Sequence, residues 1–216
     1  MTALATSISV TVAAIVLVAA TVVLVMRRVH RPTTGTPIDR SDRAAHALLV
    51  VDMQTDFVDG NGYSPNEVER KIRRLNALAE ESRAAGRPTA TLRQVYRGPV
   101  ATTVIRLLGR GLGNPSSSGL GLHADVGLEA GADFVKSRLD GFSNPALGRW
   151  LEQHDVRTVE IAGLDGCYCV RATAIGALNR GFDVVLHDDA ILATDVARWR
   201  GLQEKLLARG ARIDAG

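Results

Sequence analysis

Apolar residues follow three rhythms along this chain, and each predicts a different kind of element. Residues 4–26, LATSISVTVAAIVLVAATVVLVM, carry no charge and are dense in Val, Ala, Leu and Ile. At 1.5 Å per residue, a helix of that length crosses a hydrocarbon layer of about 30 Å. No positive charge precedes the run, and no small-x-small site separates it from the RRVHR cluster, Arg27 to Arg31, that follows. It therefore reads as a single membrane-spanning helix rather than a cleaved signal. Arginines stay on the cytoplasmic side, which places the rest of the chain in the cytoplasm. Residues 27–45 read as a basic flank and a short flexible tether.

From His46 the rhythm changes. HALLVVDM is a continuous apolar run, as expected of a strand buried on both faces. Next comes a helical rhythm: Val68, Ile72, Leu75, Leu78 and Ala79 recur at helical spacing. Ser64 is its N-cap, Pro65 lies in its first turn and Gly86 is its stop. Further strands are expected at RPTATLRQV, ADFVKSR, VRTVEIAGL, FDVVLHDDA and a closing ARID. Helices are expected at NPALGRWLEQHD, CVRATAIGALNRG and TDVARWRGLQEKLLARG. The Gly- and Ser-rich stretch 100–131 reads mostly as loop, with a short helix at its start. Strands alternating with helices at this spacing imply right-handed crossovers and a mostly parallel, Rossmann-like sheet. Residues 46–216 then form one three-layer α/β/α domain, without internal repeats.

Composition narrows the function classes. The 216 residues carry a formal charge of +3, with no Lys/Arg block interleaved with aromatics, which argues against nucleic acid as a partner. The chain has two cysteines, Cys167 and Cys169, one residue apart. Such neighbours pair poorly as a disulfide and make only half of a structural zinc site. The five histidines are scattered singly, so neither a metal nor a cofactor is implied. The sequence does not set the number of subunits; a homo-oligomer is among the arrangements it allows.

In a doubly wound sheet, ligands bind beyond the carboxyl ends of the strands, at the point where strand order reverses. Asp52 sits where the first strand runs out, Lys136 near the end of the third, and Cys167 and Cys169 after the fourth. Each has an ordinary reading alone: a turn-capping Asp, a solvated Lys, a core Cys. Together they suggest a cysteine nucleophile with a carboxylate base and an ammonium partner. Cys169 also opens a helix, whose positive end is expected to favour a thiolate.

Three segments, LLVVDMQTDFVDG, DFVKSRLDGFSNPAL and IAGLDGCYCVRATAIGALNRGFDVVLHDDA, carry a resemblance to the isochorismatase-like cysteine hydrolases. That family includes nicotinamidases and N-carbamoylsarcosine amidases, and the resemblance covers roughly His46 to Thr194. The first segment matches its Asp-x-Gln-x-Asp-Phe signature. The third matches a turn written Gly-hydrophobic-x-x-x-x-Cys-Val, which, counted from Gly163, puts the nucleophile at Cys169. Cys167 departs from the pattern, since relatives often carry Asp or Asn there.

The resemblance implies a catalytic Asp52, Lys136 and Cys169 that cleave a small amide or ureido C–N bond through a thioester. It also implies an oxyanion hole of the Asp165 and Cys169 N–H groups, around a cis peptide at Leu164–Asp165. Phe57 and Phe142 match positions of pocket aromatics, and each is equally suited to a core. Tyr96 and Arg97 are candidates to select a substrate carboxylate or carbonyl, or are simply a solvated loop. His123 stands alone where nicotinamidases carry an Asp and two His for a metal, which argues against a metal-dependent nicotinamidase. The partners expected are thus a small amide or ureido substrate and a lipid bilayer. A retired, membrane-tethered scaffold on the same fold, or a vinyl-ether hydrolase resembling isochorismatase, are the alternatives.

Overall fold

The computed structural model describes residues 2–215, with side chains from residue 15 onward. An N-terminal helix, α1 (Thr2–His30), precedes six strands: β1 (Ala45–Val51), β2 (Thr89–Gln94), β3 (Ala132–Lys136), β4 (Val156–Gly163), β5 (Asp183–Ile191) and β6 (Arg212–Asp214). They form one sheet in the order β3-β2-β1-β4-β5-β6, and every pairing is parallel. Between them run α2 (Thr55–Gly60), α3 (Pro65–Ala84), α4 (Pro99–Leu108), α5 (Pro145–Gln153), α6 (Arg171–Leu178) and α7 (Val196–Leu207).

The continuous apolar composition of β1 has a direct cause in the packing. Its alternate residues serve two separate cores: Ala47, Leu49 and Val51 join one, Leu48 and Val50 the other. The periodic face of α3, through Ile72, Leu75, Leu78 and Ala79, closes the second core. Leu147 and Leu151 of α5, Ala174 of α6 and Trp199 of α7 close the first. The expected Ser64 cap is present, its side chain accepting from the Glu67 N–H.

The structure departs from the expectations in several places. Among the described residues, no helix is long and apolar enough to cross a membrane; side chains 4–14 of the expected span lie outside the described residues. The last turns of α1 dock on the domain. Val29 is buried in the core, and its carbonyl accepts from the Leu139 N–H. Residues 31–44 carry no helix or strand, yet they are fastened rather than free. Thr33 donates through its N–H and hydroxyl to Asp140 (2.7 and 2.6 Å), the Ile38 N–H donates to the Arg180 carbonyl, and Arg40 pairs with Asp183. A polar composition that reads as tether also supplies the donors that tie the segment down. The helix expected to open at Cys169 begins as a π-helical turn over Gly166–Val170 and becomes regular only at Arg171. The short α2 is an addition to the elements expected.

The reversal of strand order falls between β1 and β4, so their carboxyl ends frame a crevice. Gly163 closes β4 with φ +113°, where a Cβ would run into the Val51 carbonyl. Only glycine lets β4 turn away so tightly against β1.

Candidate active site

Four neighbouring strands each deliver one group to this crevice. Asp52 follows β1 in the left-handed region, φ +52°, held by its N–H to the Leu92 carbonyl. Gln94 and Lys136 are the last residues of β2 and β3. Beyond β4, the π-helical turn presents Cys169. Lys136 reaches across β2, and its Nζ donates to Gln94 Oε1 (2.7 Å), Asp52 Oδ2 (2.8 Å) and Cys169 Sγ (3.3 Å). An ammonium has three protons, and all three are used. Gln94 is itself fixed by Gln54: the Gln94 N–H donates to Gln54 Oε1 and Gln54 Nε2 donates to the Gln94 carbonyl.

Burial dominates the electrostatics. It pushes the Asp52 carboxyl above its ordinary range, against the pull of Lys136. Burial, and then the Asp52 charge, raise the Cys169 thiol well above an ordinary thiol, again against Lys136. Burial pulls Lys136 down, but the adjacent Asp52 and Cys169 outweigh it and hold the ammonium charged. A cation beside two acids in a dry site retains one negative charge. Both acids are thus pushed up while the ammonium is held charged, which favours the protonated thiol at Cys169. This corrects the thiolate expected from a helix end: the turn's field is outweighed by burial and the neighbouring carboxylate.

The peptide Leu164–Asp165 is cis. The Asp165 side chain is locked by three donors, the Cys167 and Thr194 N–H groups (both 2.6 Å) and the Tyr63 hydroxyl (3.0 Å). Among the described residues, the Asp165 N–H donates to no acceptor. Cys167 points away from the crevice; its buried thiol donates to the Asp195 carbonyl at the start of α7.

A cavity of about 570 Å³ opens over Cys169 and Asp52. Phe57 and Tyr96 line it. Phe142 does not: it lies in the core, with its ring centroid 5.7 Å from that of Phe182 and the Arg180 guanidinium 4.8 Å above it. Arg97 is exposed and outside the cavity, because the chain turns outward after Tyr96. Gln94, Asn61 and Tyr168 line it without having been singled out in the sequence, as do Val22, Met26 and His30 of α1. Gln94 was within reach of the strand-end rule; the α1 residues had no sequence signal.

The sequence pattern of the Isochorismatase domain matches residues 46–213. A streptothricin hydrolase of Streptomyces noursei is 32% identical over 173 residues, which are 80% of this chain and 64% of that protein. A second streptothricin hydrolase from the same organism is matched over only 50% of its length, so this chain spans between half and two thirds of these relatives. Among solved structures, a zinc complex of pyrazinamidase from Pyrococcus horikoshii superposes with a TM-score of 0.68 at 27% identity, covering 79% of this chain and 99% of that one. N-carbamoylsarcosine amidase from Thermoplasma acidophilum gives 0.67 at 26%, covering 79% and 96%.

The residues here do not fit a zinc ion. His123 has Asp59 and Asp125 beside opposite ring nitrogens, at 3.4 and 3.8 Å. Carboxylates on opposite edges of one ring do not converge with it on a common ion. Among the described residues, no group of three or more His, Cys, Asp or Glu could hold one.

Proposed function

Because this chain belongs to the isochorismatase family through residues 46–213, we propose that it is a cysteine hydrolase of non-peptide C–N bonds, acting on a small amide or ureido compound. The observation that carries the reading is the Lys136 ammonium, bonded at once to Asp52 and Cys169 in a buried crevice at the sheet's reversal point.

The chemistry follows from the contacts that Lys136 makes with Asp52 and Cys169. Asp52 takes the thiol proton as Cys169 Sγ bonds to the substrate carbonyl carbon, so the raised thiol is activated only when substrate is in place. Lys136 keeps one negative charge stable while it moves between oxygen and sulfur. The Asp165 and Cys169 N–H groups stabilise the tetrahedral oxyanion. The C–N bond breaks as Asp52 returns the proton to the departing nitrogen, leaving a thioester and ammonia or an amine. Water then adds to the thioester with Asp52 as base, the C–S bond breaks, and the carboxylic or carbamic acid leaves with the thiol restored. Phe57 and Tyr96 shape the pocket around the reacting group.

The same reading extends to location: α1 anchors the enzyme in a membrane, with the hydrolase domain on the cytoplasmic side. Its support is the uncharged stretch 4–21 ahead of the docked turns, the exposed Ile15, Val16, Leu17 and Val18, and the arginines that follow.

The test is ammonia release by the full chain against a panel of primary amides and ureido compounds, with trapping of the acyl intermediate. An acyl adduct on Cys169 by mass spectrometry is expected. Hydrolysis that persists in Cys169→Ala would overturn the reading.

A further inference from the structure

The cavity over Cys169 has two chemically different ends. Asp52, Gln94 and Asp165 stand at the reacting end; Val22, Met26, Val104, Ile105 and Leu108 close the other. Two of those five residues come from α1 and three from α4, so the wall exists only because the end of α1 docks beside α4. We propose that the substrate is a neutral amide carrying an apolar body, and that α1 forms part of its binding site. The inference rests on the amide-hydrolase reading and names the substrate class of that site.

Charge bookkeeping argues for neutrality. The only lysine at the site has all three protons engaged. The Asp165 carboxylate is already occupied by three donors. His30 donates its Nδ1 proton to the Met26 carbonyl within its own helix (2.8 Å). Arg97, a candidate for selecting a substrate carboxylate or carbonyl, lies outside the cavity. A charged group on a short tail would lie against Val22, Met26, Val104 and Ile105 before it reached solvent at Leu108, which is disfavoured.

The reacting end, by contrast, holds two unpartnered buried polar atoms, Gln94 Nε2 and Asp52 Oδ1. Asp52 Oδ1 is an acceptor for the substrate's amide N–H, while the carbonyl oxygen goes to the Asp165 and Cys169 N–H groups. The apolar end also continues to the surface. Leu108 lines the cavity and is 81% exposed, with Leu107 beside it at 72%. These side chains make an apolar lip next to the apolar surface of α1, as suits an entrance for an apolar molecule.

The experiment uses the full chain in lipid nanodiscs and straight-chain primary amides from propionamide to octanamide, with carboxylate- and ammonium-tipped amides of matching length. The kcat/KM is expected to rise about fourfold per methylene over at least the first three, the factor for burying one CH₂. Charged analogues should fall more than tenfold below the neutral amide of equal length. Met26→Asp should cut the rise to less than twofold per methylene, whereas Leu24→Ser, on α1 but outside the cavity, should keep the parent slope. A profile flat in chain length, or a preference for a charged tail, overturns the inference. Should no amide of any length turn over, the hydrolase reading is judged by its own amide and ureido panel, and the tail site by a binding readout. Protection of Cys169 from alkylation then decides the tail site: protection that grows with chain length supports it, and length-independent protection overturns it.

Discussion

Lys136 and Asp52 stand 84 positions apart in the chain and 2.8 Å apart in the fold, with both side chains closed off from solvent. A buried ion pair is costly to assemble, and far costlier to leave half-made. This one is held together by two further acceptors on the same ammonium, Gln94 Oε1 and Cys169 Sγ. The pair thus joins the stability of the crevice to the protonation state of the thiol.

Lys136→Met should abolish hydrolysis and destabilise the domain by about 3–5 kcal/mol at neutral pH, because it leaves Asp52 buried and alone. Without the cation, the folded-state pKa of Asp52 lies still further above its unfolded value. A raised carboxyl favours folding below its unfolded pKa, and that advantage is lost as pH rises through the folded pKa. The variant should therefore regain stability on acidification, and adding Asp52→Asn should restore most of the loss at neutral pH. Urea midpoints at two pH values for parent, single and double variants test this; a double variant no more stable than Lys136→Met would contradict it.

The two cysteines should respond differently to the same change. Cys169→Ala should lose activity by at least three orders of magnitude with its melting curve preserved. Cys167→Ala should keep activity and lose about 1 kcal/mol, roughly the cost of deleting one methyl-sized buried group. Activity assays beside thermal melts separate these outcomes, and the reverse pattern would place the nucleophile at Cys167.

Alkylation should report the raised thiol. Burial and the Asp52 charge hold Cys169 protonated, so iodoacetamide should react slowly near neutral pH and accelerate only above the ordinary thiol range. Turnover should appear at lower pH, once Asp52 ionises, with its acid limb above the usual carboxylate range. A fast, pH-independent alkylation at pH 7 would show a standing thiolate instead.

Away from the crevice, Glu160 offers a separate test of stability. Burial raises its pKa, but hydrogen bonds from His187 and His46 and the charge of Arg87 prevail, setting the carboxyl at about 2. A depressed carboxyl stabilises the fold above its unfolded pKa, and the gain disappears as pH falls through the folded value. Glu160→Gln should cost about 2–3 kcal/mol at pH 7. The gap to the parent should narrow from about pH 4.5 downward to pH 2, read from denaturant midpoints; a gap independent of pH would count against the ion-pair account.

Truncation should divide α1 into two parts. Deleting residues 1–20 should release the protein from membranes with its stability unchanged. Deleting residues 1–31 removes the buried Val29 and the Val29–Leu139 hydrogen bond, and should lower the melting temperature by several degrees. Carbonate extraction and thermal melts check the two outcomes; equal melting of both truncations would mean that the helix end does not dock.

Much of the α/β domain could be read from local pattern, because its elements are set by local rules. The unbroken apolar run of β1, the Ser64 cap and the period of α3 needed no tertiary information. Asp52, Lys136 and Cys169 drew notice through a topological rule that needs only strand ends. Gln94 obeys the same rule but carries no sequence signal, since an amide suggests no chemistry until a lysine points at it. Phe142 and Arg97 went the other way. An aromatic or an arginine near a strand end is equally at home in a core or in solvent, and its direction depends on packing from distant helices.

Neighbours in the chain govern the alternation of strand and helix, the caps, the Gly163 turn, and which residue types arrive at the sheet's carboxyl edge. Everything else depends on residues that meet from afar. The tertiary structure brought Asp52, Gln94 and Cys169 to the three protons of Lys136, and it buried Cys169 beside a carboxylate. It settled that Cys167 faces α7, and that the last turns of α1 and the segment behind them lie against the domain and wall the cavity. The physical reason is that pattern and propensity act over a turn or a strand, whereas burial and the pairing of charges belong to the whole packed fold.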